Sequence, residues 1–174
     1  MKFEKLIYLV LIIFSFSLVN LGADTPHFID FKYILNESEA GKKAQTFLKN
    51  KLEKGFKDIK EKEKKIQDEE KKIIQQKKLV SADEYKKKVT ELRKKVSNLQ
   101  KERNEILKSI ANKRAKAKNE LLKNLNPIMK NYMKEKNIKM IVDKKSLLLA
   151  DENLNITKDI MSLLNKQLKS INLN

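Results

Sequence analysis

Leu79-Val80-Ser81-Ala82-Asp83-Glu84-Tyr85 is the stretch that decides the fold. Upstream of it, apolar residues recur every seven positions, at Leu52, Ile59, Ile66, Ile73 and Val80, with Phe56 adding a second seam position near the base. Downstream, Tyr85, Val89, Leu92, Val96 and Leu99 alternate spacings of four and three, and Arg103, Ile106, Ile110, Lys113 and Ala117 continue the series. Such spacing is the seam of a coiled coil. Between the two seams Ser81 is suited to cap a new helix, and Glu84 stands three residues on, where a capping box places an acid reaching back. Two seams, one cap and a short connection predict an antiparallel helical hairpin with its tip near 79–84. One continuous helix of about 90 residues is the alternative that a weaker cap would allow. The first limb has about 40 residues and reaches about 60 Å at the helical rise. It is thin, with about one apolar residue per heptad where two are usual.

Farther along the second limb the apolar positions become Leu121, Leu125, Ile128 and Tyr132, so the register slips by one near Asn119. Asn126 and Pro127 follow, a cap and a first-turn proline. They predict that the helix restarts or kinks there, giving an elbow near the base of the arm.

Outside the hairpin the pattern changes. Pro26–Phe31, Lys139–Asp143 and Ser146–Ala150 resemble strands, and Ile156, Ile160, Leu163, Leu164 and Leu168 form a helical stripe. Asn155 or Thr157 could cap that helix. A hairpin brings its own ends together, so these flanking segments, 24–41 and 137–174, form one body. At 56 residues the body is marginal alone, and its sheet would expose edges. Sharing the body between copies solves both problems. The expected fold class is therefore α+β: a long antiparallel helical hairpin, 42–136, projecting from a small β-rich body shared in a homo-oligomer. The residues expected to build the shared body are Phe28, Ile29, Phe31, Met140, Ile141, Val142, Leu147, Leu148 and Leu149.

The charge is segregated. The chain has 174 residues and a formal net charge of +17. Residues 42–136 hold 31 Lys and Arg against 14 Asp and Glu, whereas 24–41 and 137–174 together hold 7 against 8. An acidic partner would therefore meet the hairpin. Lysine-rich genomic bias could favour Lys over Arg, but it does not explain neutral ends. With no Cys, disulfides, thiolate metal sites and cysteine nucleophiles are excluded. Gly22, Gly41 and Gly55 are too scattered for a nucleotide-binding loop. His27 is the lone histidine and reads as an ordinary residue before the first strand. Acidic pairs such as Glu69-Glu70 and Asp151-Glu152 lack an apolar shell to tune them. The expectation is no enzyme, no cofactor and no metal.

Residues 1–23 have a basic start at Lys2 and Lys5, an apolar run from Leu6 to Val19 and a small residue at Ala23. That is the three-part pattern of a cleaved secretory signal peptide. An uncleaved membrane anchor is the competing reading, although the run is short for a span.

The layout resembles the Skp/OmpH family of bacterial periplasmic chaperones. The pieces that carry the resemblance are Phe28-Ile-Asp-Phe-Lys-Tyr-Ile-Leu-Asn-Glu-Ser38, Ala40-Gly-Lys-Lys-Ala-Gln45 and Leu79–Tyr85 at the tip. Tyr132-Met-Lys-Glu-Lys-Asn-Ile-Lys-Met-Ile-Val-Asp143, Ala150-Asp151 and Asn155-Ile-Thr157 complete it. Their order and spacing after a signal segment span essentially the whole mature chain. The family often has Gly where Asn137 stands and Asp where Asn155 stands. The resemblance implies a homotrimer in the periplasm, with a shared β-barrel and three arms enclosing a cavity. It implies an ATP-independent holdase for unfolded outer-membrane proteins, with lipopolysaccharide or an anionic lipid surface as a further partner.

A holdase needs long-range attraction for capture and apolar contacts for grip. The arm offers both. The expected client-binding residues are Ile66, Ile73, Val80 and Tyr85 beside Lys77, Lys78, Lys86, Lys87, Lys88, Arg93, Lys94 and Lys95. Ile59, Leu92, Leu99 and Ile106 are expected to zip the limbs instead. Two other functions use the same features: a basic coiled coil that coats nucleic acid, and a membrane-anchored adaptor. The export signal and the scarcity of stacking aromatics, with no Trp and Tyr85 the lone aromatic near the tip, argue against nucleic acid. The adaptor requires residues 1–23 to persist.

Overall fold

The computed structural model describes residues 25–173. The signal segment expected at 1–23 lies outside them. Strand β1, His27–Ile29, leads into helix α1, Phe31–Glu37, and α2, Glu39–Gln76. Helix α3, Ala82–Glu135, returns the chain to β2, Ile141–Asp143, and α4, Thr157–Gln167, closes the body. Two short 3₁₀ turns, Lys144–Ser146 and Glu152–Leu154, lie between β2 and α4. The chain is mostly helical with a two-stranded sheet.

The hairpin forms where the sequence requires it. Leu79 and Val80 both donate their amides to the Gln76 carbonyl, at 2.8 and 3.2 Å, which turns the chain at 77–81. Ser81 Oγ accepts from the Glu84 amide at 3.2 Å and starts α3. Only half of the expected box is made, because the Glu84 carboxylate pairs forward with Lys88 at 3.1 Å. That helix-surface pair sits one turn along and replaces the reach back to Ser81.

Three expectations about the base are corrected. Of the restart and the kink expected at Asn126-Pro127, the restart does not occur: α3 runs through Pro127 to Glu135. Tertiary packing outweighs the lost amide, since Leu121, Leu125 and Ile128 are buried on both sides of the proline. The β1 strand is shorter than Pro26–Phe31: Asp30 leaves it to cap α1, accepting from the Tyr33 amide at 2.8 Å. Phe31 is therefore helical, and His27 lies within β1, paired with Ile141. Finally, Ser146–Ala150 is not a strand. Asp143 accepts from the Lys145 amide and turns the chain into a 3₁₀ helix, from which Leu147 continues in extended backbone with no sheet partner among the described residues.

β1 and β2 are parallel, with His27, Phe28 and Ile29 opposite Ile141, Val142 and Asp143. Parallel strands need a crossover connection, and here the whole arm is that crossover. On its other edge β1 meets Asn155 through an isolated bridge, with the Ile156 amide donating to the Phe28 carbonyl at 3.0 Å. Asn155 turns rather than caps: its Oδ1 accepts from the Thr157 amide and hydroxyl, and Thr157 Oγ1 accepts from the Asp30 amide at 2.8 Å.

The body core draws on Ile29, Ile34, Ala40, Leu121, Leu125, Ile128, Ile138, Ile156, Ile160 and Leu164. It therefore takes in the last turns of α3, and it is larger than the flanking segments alone. The exit from α3 is a Schellman closure, with the Ile138 amide donating to the Met133 carbonyl at 2.8 Å and the Asn137 amide to Lys134 at 3.4 Å. Asn137 has φ 54°, the left-handed region that Gly or Asn enters at least cost.

The entry to α2 is tighter. A Cβ on Gly41 would stand 2.1 Å from the Leu35 carbonyl oxygen and 2.9 Å from Ser38 Oγ. Gly→Ala normally favours a helix by about 1 kcal/mol, but here backbone must move. Gly41→Ala is expected to destabilise the fold by about 1–3 kcal/mol. Gly55→Ala meets only the flexible Ile106 side chain, at 3.1 Å, and is expected to lie near neutral. Paired thermal melts of the two variants check the sign.

Candidate functional site

The arm is held by a narrow seam and a polar ladder. Ile59, Ile73 and Ile110 are buried between the limbs, while Leu92, Leu99 and Ile106 are half-buried. Outside the seam, Lys62 pairs with Glu102, Glu69 with Lys95 at 2.6 Å, and Gln76 accepts from Lys88 at 2.9 Å. The rungs advance by seven residues on α2 while retreating by seven on α3. They therefore repeat with the heptad and fix the antiparallel register. Such exposed pairs contribute little stability each and weaken with salt.

The expected client-binding residues separate accordingly. Ile73 is buried between the limbs, so it zips the hairpin and offers no surface. Ile66, Val80 and Tyr85 are half-buried. Lys77 lies over the Tyr85 ring at 5.9 Å. Lys88 and Lys95 are ladder rungs, whereas Lys77, Lys78, Lys86, Lys87, Arg93 and Lys94 are exposed. Several apolar groups escaped the sequence reading. Leu79 at the tip is 82% exposed and Ile74 59%. Val96, expected in the seam, is instead exposed, because the first limb supplies too few apolar residues to cover the fuller stripe of the second. Ile73-Ile74 could have signalled this: adjacent helical positions cannot both face one partner. Near the base, Lys51 lies over Phe47 and Arg103 over Phe56, each at 5.9 Å. These cations shade half-open rings with their stems. The arm thus alternates exposed apolar side chains with lysines.

The body carries a second surface. Leu148 and Leu149 are 106% and 93% exposed, and Met140 lies open beside β2. Met140 also lines a cleft of about 530 Å³ formed with Ile29, Phe31, Leu122, Met129, Met133 and Ile141, with the exposed Lys130 and Lys139 among its walls. Of the residues expected to build a shared body, Phe28 and Ile29 are already buried within one copy, and Phe31, Ile141, Val142 and Leu147 are half-buried. Met140, Leu148 and Leu149 are open. The residues missed were Met129 and Met133, which the sequence reading placed on the arm.

Arm and body are tied by Tyr132, whose hydroxyl donates to Asp159 Oδ2 at 2.6 Å. That hydrogen bond, with burial and the carboxylate's charge, pushes the Tyr132 pKa up to about 12. The folded chain holds this proton more tightly than the unfolded chain, whose tyrosine titrates near 10. The tie therefore stabilises fully below about pH 10 and is lost as pH rises to about 12. Tyr132→Phe is expected to cost about 1 kcal/mol at neutral pH and to flatten the fall in stability over that alkaline window. Urea unfolding at a series of pH values measures both.

Among the described residues no helix is long and apolar enough to cross a membrane, and no cluster of His, Cys, Asp or Glu could hold a metal ion. Residues 27–164 match the family described as outer membrane protein (OmpH-like). No curated protein matches the chain. Among solved structures, that of a candidate outer membrane chaperone (OmpH-like) from Caulobacter crescentus CB15 is similar. It superposes with a TM-score of 0.78 at 17% identity, covering 89% of this chain and 95% of that one.

Proposed function

The chain belongs to the OmpH-like outer membrane protein family, and from that membership we propose that it is an ATP-independent holdase for unfolded outer-membrane proteins in the periplasm. The observation that carries the reading is the arm surface, where Ile74, Leu79 and Val96 stand open among exposed lysines on a segment with a surplus of basic residues. An unfolded acidic chain is drawn in by the field and held by short apolar contacts. Neither contact is deep, so release needs no nucleotide. The outer-membrane chaperone role attached to the similar Caulobacter structure supports the same reading. In it, the body assembles as a homotrimer through the β2 edge, the open Leu148 and Leu149, and the methionine-lined cleft, so that three arms surround one client. Lipopolysaccharide or another anionic lipid would meet the same basic arms.

The test is light scattering of an outer-membrane protein diluted from urea. The expected result is suppression of aggregation at stoichiometric amounts without ATP, weakening as the Debye length falls from about 10 Å at 0.1 M salt to about 3 Å at 1 M. Aggregation unchanged by the protein at low salt rejects the reading.

A further inference from the structure

The residues after α4 lie beyond the family match, which ends at 164, yet they are built into the fold. Leu168 leaves the helix in extended backbone. The segment that follows, Ser170-Ile171-Asn172-Leu173, alternates polar and apolar residues. Leu173 is buried, only 3% exposed, against Ala44, Leu48, Ile110 and Ala117 at the root of the hairpin. Ile171 packs against both this cluster and the body core. Lys113 Nζ donates to the Leu173 carbonyl, and Lys169 pairs with Glu39 at 3.0 Å. The seat is thus an apolar floor of small and aliphatic residues, with a cationic donor placed to receive a main-chain carbonyl. Ala44, Leu48, Ile110 and Ala117 also line an open groove of about 860 Å³ whose walls include Arg114 and Lys118.

We propose that this seat is a binding site for an extended segment of alternating apolar and polar residues, and that residues 169–173 occupy it as an internal competitor. The occupant it fits is a strand of an unfolded outer-membrane barrel, because such strands carry that two-residue alternation and the tail reproduces it. The inference rests on the holdase reading for the identity of its ligand. Alternate side chains supply the grip on the apolar floor, and the Lys113 ammonium takes a carbonyl that any peptide sequence offers. Selectivity is therefore for pattern rather than for particular residues.

The experiment measures fluorescence anisotropy of a labelled ten-residue peptide of alternating apolar and polar residues, with a same-composition peptide whose apolar residues are blocked together as control. The proteins are the full chain, a chain lacking 169–174, and a full-length Ile171→Ser/Leu173→Ser variant that keeps the tail backbone if truncation impairs folding. Emptying the seat is expected to tighten binding of the alternating peptide by about tenfold or more, since the buried Leu173 and the half-buried Ile171 side chains no longer compete. The blocked peptide gains little. Leu48→Asp in the background with the emptied seat is expected to abolish the gain. Equal affinity for the full chain and the folded variant shows the tail to be a structural strap and overturns the inference, while aggregation assays on the same proteins report separately on the holdase reading.

Discussion

Replacing Leu148 and Leu149 together by aspartate is expected to convert the proposed homotrimer to monomers and to remove the proposed suppression of client aggregation. Both side chains are almost wholly in water within one copy, so the substitution disturbs no intramolecular packing. In an assembly each leucine would contribute about 1.5–3 kcal/mol by leaving water. Two per copy, repeated around the proposed symmetric ring, would make a large part of the association energy. Aspartate reverses the sign, because a buried unpaired carboxylate is costly. Light scattering on the purified variant gives its mass, and circular dichroism shows whether helix content is retained. A folded monomer that no longer holds clients supports the shared body. A variant that keeps its assembled mass places the interface elsewhere.

Leu125→Ala is expected to have the largest effect on the single chain, a loss of about 2–5 kcal/mol. Leu125 is fully buried, as are Ile34, Ile160 and Leu164 in the same core. It sits where α3 joins the body, beside the proline turn of that helix, so the neighbours have little freedom to collapse into the void. The loss is a large fraction of a typical stability of 5–15 kcal/mol. A lower urea midpoint with unchanged slope identifies it as a packing effect. The matched control is Val96→Ala, an exposed position on the same helix, which is expected to change stability by less than about 0.5 kcal/mol.

The hairpin was legible because its signals are local and repeated. Five apolar residues at intervals of seven, and one serine before an acidic first turn, placed the limbs and the start of α3. The family could likewise be read from the order of short pieces. What could not be read was how far the body extends. Leu121, Leu125 and Ile128 continue a helical stripe without interruption, and nothing local marks the point where the stripe exchanges a limb for a body core. Pro127 left restart and kink both open for a related reason: its backbone cost is a local quantity, while the burial on both sides of it, which keeps α3 continuous, is not. Ser146–Ala150 had the composition of a strand, but a strand exists only when a partner is present, and none is supplied among the described residues. On the arm, periodicity assigned Val96 to the seam because it describes one helix at a time. Whether a seam position is covered depends on what the opposite limb offers, and that limb was visibly thin.

The small-residue root of the arm has a mechanical corollary. Ala44 and Ala117 are buried together at the root of the hairpin, and α2 as a whole spans 38 residues, about 57 Å at the helical rise. Geometry makes this a lever. A rotation of about 10° at the root sweeps the far end through about 10 Å over that length. In the proposed assembly, the opening between arms would thus answer to small side-chain adjustments around Ala44 and Ala117, a long way from the far end of the lever.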